Sequence, residues 1–252
     1  MRNIRAIFFK QSQSLIKSPG MIIQAVLFMA LILVMSFLIS DDGPIDCDSC
    51  IPKYVCAYCL ENGGAPLNTP NPSLTGLFTV MFVGFAVVGT ASALVIEDKT
   101  TQNFRFMKMA DVKPKHYLLG TLASMSIITL VLLFLYAVVG GYFGANMLWF
   151  MGAAMAGALV SILLGLLVGM SRAPGLTTVF SLVLGLGPML SSFNEALARL
   201  LWFTYTQQVN IALSDLSDGV TTGFGTNFMV IGANGVVILL MFIWMHRKGT
   251  LS

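Results

Sequence analysis

Three long stretches of this chain, residues 74–96, 117–140 and 147–170, contain no charged residue at all. Each exceeds the roughly 20 apolar residues that a helix needs to cross a bilayer core of about 30 Å. Residues 21–39 form a fourth run, interrupted only by Gln24 and Ser36, and residues 175–190 and 228–245 are shorter but equally uncharged. Hydrophobic residues make up 56% of the chain and charged residues 10%, against about 45–50% and about 25% in soluble domains. The expectation is an all-α polytopic membrane protein with six transmembrane helices, of which 175–190 is the most marginal.

Lys and Arg are distributed unequally between the two sides of such a bundle. Arg2, Arg5, Lys10 and Lys17 precede the first run, and Lys99, Arg105, Lys108, Lys113 and Lys115 lie between the second and third. Arg172 follows the fourth run, and Arg247 and Lys248 follow the last. Twelve of the fourteen bases therefore share one side, which the positive-inside rule makes cytoplasmic. Lys53 and Arg199 fall opposite, among Asp41, Asp42, Asp46, Asp48, Glu61, Glu195, Asp215 and Asp218. Both termini are then inside. The net charge of +3 follows from this asymmetry and calls for no nucleic acid.

Ahead of the first run, residues 1–19 place Ile4, Ile7, Phe8 and Leu15 near one helical face with bases among the rest. Two readings stand: a helix lying in the cytoplasmic interface, or a plain basic flank. Ser18-Pro19-Gly20 should break the chain before it enters the membrane. The run that follows is longer than a signal-peptide core and lacks a small-x-small cleavage site, so the segment does not read as a cleaved leader.

Residues 93–120 leave one apolar run, pass through a charged stretch and re-enter another. Asp98 or Thr100 is expected to cap a short helix there. On that helix Phe104 and Lys108 share a face, as do Arg105 and Met109, since side chains four apart stack. Pro114 is expected to hold off further helix until Tyr117. A short helix at the membrane surface offers a partner protein something to grip, and residues 97–116 are read as a coupling segment of this kind.

All four cysteines, Cys47, Cys50, Cys56 and Cys59, fall in the outside loop 41–72. Confinement to the oxidising side favours disulfides, with three possible connectivities. The paired C-x-x-C spacing also suits a four-thiolate zinc site, although five intervening residues are few, and free thiols stay open. In the fourth run Ala153, Gly157, Ser161, Gly165 and Gly169 recur every four residues. Such a stripe lets helix backbones approach closely, either within the molecule or at a moving or subunit-contacting surface.

The fifth run should break up near Gly185, Gly187 and Pro188. Ser192-x-x-Glu195 then reads as a capping box, with Glu195 and Arg199 paired four apart. Residues 191–218 are too polar to span. They are read as extracellular half-helices that dip into or lie on the outer leaflet, or else as an ordinary amphipathic connector.

The interiors of the runs hold no ionisable residue, unlike most proton- or ion-driven pumps. His116 and His246 sit at span ends. The chain has no H-E-x-x-H, no G-x-S-x-G and no G-x-x-x-x-G-K-[ST] loop. It is therefore expected not to be an enzyme, and any work it does must draw on energy from outside the chain.

Taken together, the basic N-terminal helix with its Pro-Gly break, the six runs, the 97–116 segment and the outer half-helices resemble the permease subunits of the ABC-2 type (type V) ABC transporter family. The closest correspondence is Glu97, then a basic-apolar helix, then Pro114 and Tyr117-Leu118-Leu119-Gly120, where family members commonly carry an acidic residue, a short helix, a Pro and Y-L-x-G-K. Asp98-Lys99-Thr100 and Thr121 depart from the family pattern, and the cysteine loop is no part of it.

The resemblance implies a single permease domain over 1–252, with an N-terminal interfacial helix (1–19), a cytoplasmic coupling helix and outer-leaflet half-helices before the last span. It implies a multi-pass protein of a bacterial plasma membrane that pairs with a second permease copy, identical or not. Separate ATP-binding cassette subunits would carry ATP and Mg²⁺, and this chain would hold no cofactor. Glu97, Asp98, Thr100, Phe104, Arg105, Phe106, Lys108 and Met109 would be the contact with that ATPase. The implied cargo is amphipathic or hydrophobic: an antimicrobial peptide, a drug or a lipid-like molecule. A non-transporting sensor or immunity subunit and a secondary transporter are the competing classes.

The charge asymmetry predicts that Asn62→Cys, in a background without the four native cysteines, reacts with an impermeant maleimide in intact cells. Gln102→Cys should stay unlabelled until the membrane is opened. External labelling at position 102 would overturn this orientation.

Overall fold

The structure is a computed structural model, and it describes residues 2–17, 20–39, 72–101, 114–171, 175–191, 194–217, 219 and 223–247. The described residues are helical almost throughout, with no strand among them. In order they form α1 (Arg2–Lys17), α2 (Gly20–Ile39) and α3 (Pro72–Met81), which passes through a π-helical stretch (Phe82–Val87) into α4 (Val88–Thr100). Next come α5 (Pro114–Val139), α6 (Ala145–Met170), α7 (Gly175–Ser191), α8 (Glu195–Leu201), α9 (Tyr205–Ser217) and α10 (Phe224–Arg247).

Four helical stretches are long and apolar enough to cross a membrane: Leu74–Thr100, His116–Val139, Ala145–Met170 and Phe224–Trp244. The bent pair α1–α2, whose axis turns by 50°, makes a fifth if taken as one span. α7 is apolar but only 17 residues long. The outer faces suit a lipid solvent. Leu130, Val131 and Phe134 on α5, Val179 and Val183 on α7, and Val236, Leu240 and Trp244 on α10 are exposed, an apolar surface larger than a monomer in water would ordinarily carry.

α6 and the α3–α4 helix sit at the centre, each with 67% of its span window buried, whereas α10 has 22% buried and lies at the rim. The α6 stripe explains the arrangement. A Cβ on Gly165 would lie 2.6 Å from Ala91 Cβ and from the Val88 carbonyl, and one on Gly169 2.8 Å from the Ser92 carbonyl. Gly157 does the same for α9, where a Cβ would meet Val209 at 2.6 Å. Ala153 is fully buried, and Ser161 bonds the Tyr205 hydroxyl at 2.8 Å. All five stripe residues thus face neighbours inside the molecule.

The π-helical stretch marks a second close crossing. A Cβ on Gly84 would sit 2.5 Å from the Leu184 carbonyl, and one on Gly185 2.9 Å from Phe85 Cβ. The expected break at Gly185, Gly187 and Pro188 does not occur, because α7 runs on through Pro188 to Ser191. Proline deprives the carbonyl four residues earlier of its donor. That carbonyl belongs to Leu184 and is the one that lies against Gly84, so packing tolerates the defect.

Three further expectations change at helix ends. Pro114 does not delay the third span but opens α5, in the first-turn position where its missing N–H costs nothing. Asp98 and Thr100 both belong to the last turn of α4, where Thr100 donates to the Glu97 carbonyl, and residues 102–113, where the expected short helix falls, lie outside the described residues. The cap of α8 is Asn194, which accepts from the Ala196 and Leu197 amides, so the helix starts at Glu195 without the Ser192 box. The Glu195–Arg199 pair does form, at 2.6 Å on an exposed face. α9 is far from a surface connector. Tyr205, Thr206, Gln207 and Gln208 are all buried, with Ser191 donating to Gln207 Oε1 at 2.7 Å. Residues 41–71, with the four cysteines, lie outside the described residues.

Gly84→Ala should drive a methyl group into the backbone of α7. Overpacking of this kind costs about 1–3 kcal/mol. Gly89, just beyond the π-helical stretch, has nothing within 4 Å of where a Cβ would stand, so Gly89→Ala is the matched control. The detergent-purified Gly84→Ala protein should melt several degrees lower than either wild type or the control. Equal melting temperatures would refute the tight crossing.

Candidate functional site

Glu97, Asp98 and Lys99 are consecutive, and an α-helix sends consecutive side chains out about 100° apart. Each therefore meets a different neighbour at the end of α4. Asp98 points inward and is 3% exposed. Its carboxylate accepts three bonds: from Lys10 Nζ at 2.5 Å, from Gln11 Nε2 at 2.8 Å and from the Tyr117 hydroxyl at 2.9 Å. Lys10 and Gln11 come from α1, and Tyr117 from the first turn of α5. One carboxylate ties three helices together.

The neighbours extend that junction. Glu97 is exposed and accepts from Ser14 Oγ at 3.1 Å, so α1 is held by two successive residues of α4. Ser12 and Ser124 share a 3.0 Å bond between α1 and α5. Lys99 turns the other way, and its ammonium donates to the carbonyls of Gly169, Met170 and Ser171 at 2.9, 2.7 and 3.2 Å. Helix C-termini leave carbonyls without partners and carry partial negative charge, so a cation there is favourable. Lys99 thereby fixes the end of α6 to the end of α4.

The sequence pattern accounts for the seating of α1. Ile7, Gln11 and Leu15 are four apart, and all three are buried against the bundle, while Phe9 on the opposite side is exposed. Gln11 is the polar member of that apolar row, and it is there because it meets Asp98. A buried ionised carboxylate is very costly unless it is paired and hydrogen-bonded. Among the described residues, the charged partner of Asp98, Lys10, and its Gln11 donor both come from α1. Lys10, with a side chain 44% exposed, supplies a counter-charge that is partly open to solvent.

The structure divides the expected coupling residues into two groups. Glu97 and Thr100 are exposed at the end of α4, on the outward side of the junction. Asp98 is enclosed within the bundle, where it serves as an internal anchor. Phe104, Arg105, Phe106, Lys108 and Met109 lie outside the described residues. Reasoning from the sequence misses Gln11 and Ser14, and it finds in Lys10 only part of a basic flank. A glutamine in an otherwise apolar i, i+4 row is the available signal.

The junction's chemistry is that of a strut. Its groups hold helix ends in fixed relation, and among the described residues no three His, Cys, Asp or Glu side chains gather where a metal ion could bind. Comparison with protein-family models, with curated proteins and with solved structures finds no match for the chain.

Asp98→Ala would leave Gln11 and Tyr117 without their acceptor, and a buried group so orphaned costs about 1–3 kcal/mol. α1 should then exchange its amide hydrogens markedly faster, with its limited-proteolysis rate rising, while α9 and α10 keep their protection. Lys10→Ala should do the same more weakly. Unchanged exchange in α1 of the Asp98→Ala protein would show that the carboxylate does not hold it.

Proposed function

We propose that this chain is the membrane permease subunit of an ABC exporter, moving an amphipathic or hydrophobic cargo with energy supplied by a separate ATPase. On this reading α2, α3–α4, α5, α6, α7 and α10 are six spans. Both termini and the 97–116 segment are cytoplasmic, α1 lies in the inner interface, and α8 and α9 are half-helices in the outer leaflet. Two permease copies in a bacterial plasma membrane would work with ATPase subunits that carry ATP and Mg²⁺.

The observation that carries the proposal is the Asp98 junction. Residues 102–113 connect α4 to α5, and beside that connection α1, α4, α5 and α6 are pinned together by Asp98 and Lys99. A partner pushing on the connection would meet the ends of α4, α5 and α6 and the middle of α1, held as one body. A flexible attachment would absorb the displacement. The resemblance to ABC-2 permeases supplies the identity of that partner, and the uncharged spans favour a cargo without a full charge.

The grip itself should reside in the apolar residues of the connection. Truncating an interface hot spot costs roughly 2 kcal/mol or more, whereas rim charges mainly alter association rate and salt dependence. In vesicles reconstituted with the candidate ATPase, Phe104→Ala with Phe106→Ala should reduce permease-stimulated ATP hydrolysis and cargo export by roughly tenfold or more. Insertion into the membrane should be unaffected, and a Thr100→Ala protein should stay near wild type. Normal assembly and transport by the double variant would remove the coupling role from this segment.

A further inference from the structure

Between α2, α4 and α7, in the half of the bundle nearest the Asp98 junction, a groove of about 300 Å³ opens to the side. Gln24, Gly89, Thr90, Thr177, Thr178 and Ser181 contribute to its wall. We propose that this groove is a binding site for the carbonyl of an uncharged amphipathic molecule, an ester or amide carried on an apolar body.

Two hydroxyls carry the inference. Ser181 is only 4% exposed, and among the described residues its Oγ has no hydrogen-bond partner; Thr177 Oγ1, one turn earlier on the same face of α7, has none there either. Helical serines and threonines commonly return their proton to a carbonyl of the preceding turn, as Ser92 and Thr79 do here. Thr177 and Ser181 do not. A buried hydroxyl without a partner costs free energy that a bound acceptor would recover; both residues line the open groove, and because both oxygens are turned into the wall, a rotation about χ1 is what would bring them to such an acceptor.

The glycine opposite keeps that space open. Gly89 has nothing within 4 Å of its would-be Cβ, so a side chain there would extend into the groove without touching the bundle. The volume lies at the small end of the range for ligand pockets, about 300–1,000 Å³. The wall offers hydroxyl and amide groups, and no acidic or basic side chain lines it among the described residues. A ligand with a full charge would lose its hydration and find no counter-ion among the described residues, which is strongly unfavourable. A neutral carbonyl would accept from Ser181 and Thr177 while its apolar part faces the hydrocarbon side.

The groove thus suits the cargo class proposed above, and it rests on that reading only for its physiological meaning. Binding itself is independent of any ATPase. Two sources share the chemistry: the ester region of a membrane lipid and the amide of a lipophilic peptide.

The test uses the full chain in phosphatidylcholine nanodiscs without ATPase, and three photoreactive probes at trace level: a diacylglycerol, an N-acyl amino amide and an alkyl trimethylammonium. Cross-linked peptides are located by mass spectrometry. At least one neutral probe should label the peptides covering 85–93 and 175–183, and the cation should label them several-fold less. Preference for the diacylglycerol would assign the site to lipid, and preference for the amide to a peptide-like ligand. Gly89→Leu, which fills the groove, should reduce labelling there at least tenfold while labelling on the rim helix α10 is unchanged. Ser181→Ala, which removes one donor, should reduce it by about two- to tenfold. Equal labelling of the groove by the cation, or unchanged labelling in a monodisperse Gly89→Leu protein, overturns the proposal. So does a chain-to-chain cross-link through this groove that displaces the probes, since a second copy would then be its occupant.

Discussion

The bundle depends on how closely α6 can approach its neighbours. In lipid there is no hydrophobic drive to bring one apolar helix against another, so association rests on dispersion at short range and on hydrogen bonds between helices. Gly165 and Gly169 provide the short range on the α4 side, where added Cβ atoms would come within 3 Å of Ala91, Val88 and Ser92. Gly157 and Ser161 provide it on the α9 side, where the Ser161–Tyr205 bond adds a polar contact. Because α6 touches α4 and α9 along one continuous stripe, the position of every outer helix is referred to it. Even an alanine at Gly157, Gly165 or Gly169 would bring its Cβ within 3 Å of the facing helix.

A different kind of contact governs the end of the bundle. There the interactions are ionic and directional: one buried carboxylate receives three donors, and one ammonium serves three carbonyls. Both groups lie on α4 and are adjacent in sequence, so α1 and α5 on one side and α6 on the other are fixed relative to the same half-turn of helix. A buried charge pair contributes little net stability, because desolvation offsets most of its attraction, yet removing one partner is strongly unfavourable. The junction therefore acts more on geometry than on depth of stability. It penalises any state in which α1 lifts away while Asp98 stays ionised and enclosed.

Much of the helix content is legible in the sequence, and the reasons are specific. Uncharged runs longer than a bilayer is thick admit few alternatives to helix, so residues 74–96, 117–140 and 147–170 fall inside Leu74–Thr100, Pro114–Val139 with its following turn, and Ala145–Met170. The four-residue period of small side chains is also visible, since period and size are properties of sequence. Which neighbour each small residue meets is not. Helix ends are harder to read. Pro114 and Pro188 both look like breaks in one dimension, but proline opens a helix at its first turn and is tolerated in a late turn when packing covers the freed carbonyl. Asp98 misleads for a related reason. An acidic residue after an apolar run looks like a solvated cap until the glutamine and tyrosine that enclose it are brought together from 87 and 19 residues away. The buried row Tyr205–Gln208 is hidden in the same way, because Tyr205 and Gln207, which pair with Ser161 and Ser191 in three dimensions, look like part of a surface connector in one.

One helix carries the junction, the groove and the π-helical crossing in sequence along its length. From Asp98 to Thr90 is eight residues, about 12 Å at 1.5 Å per residue, and a further turn reaches the stretch Phe82–Val87 that packs on α7. On the function proposed above, a displacement applied at Asp98 would reach the groove wall, since an intact hydrogen-bonded helix does not shorten. The π-helical stretch is where it can be taken up. There the hydrogen bonds are spaced differently from those on either side, a feature that often accompanies functional sites. The crossing partner, α7, brings the other groove wall with Thr177 and Ser181. Motion of α4 against α7 about the Gly84–Gly185 contact would then change the width of the groove, because its two walls belong to the two helices that cross there. The glycines permit that contact to be close, with no side chain between the two backbones.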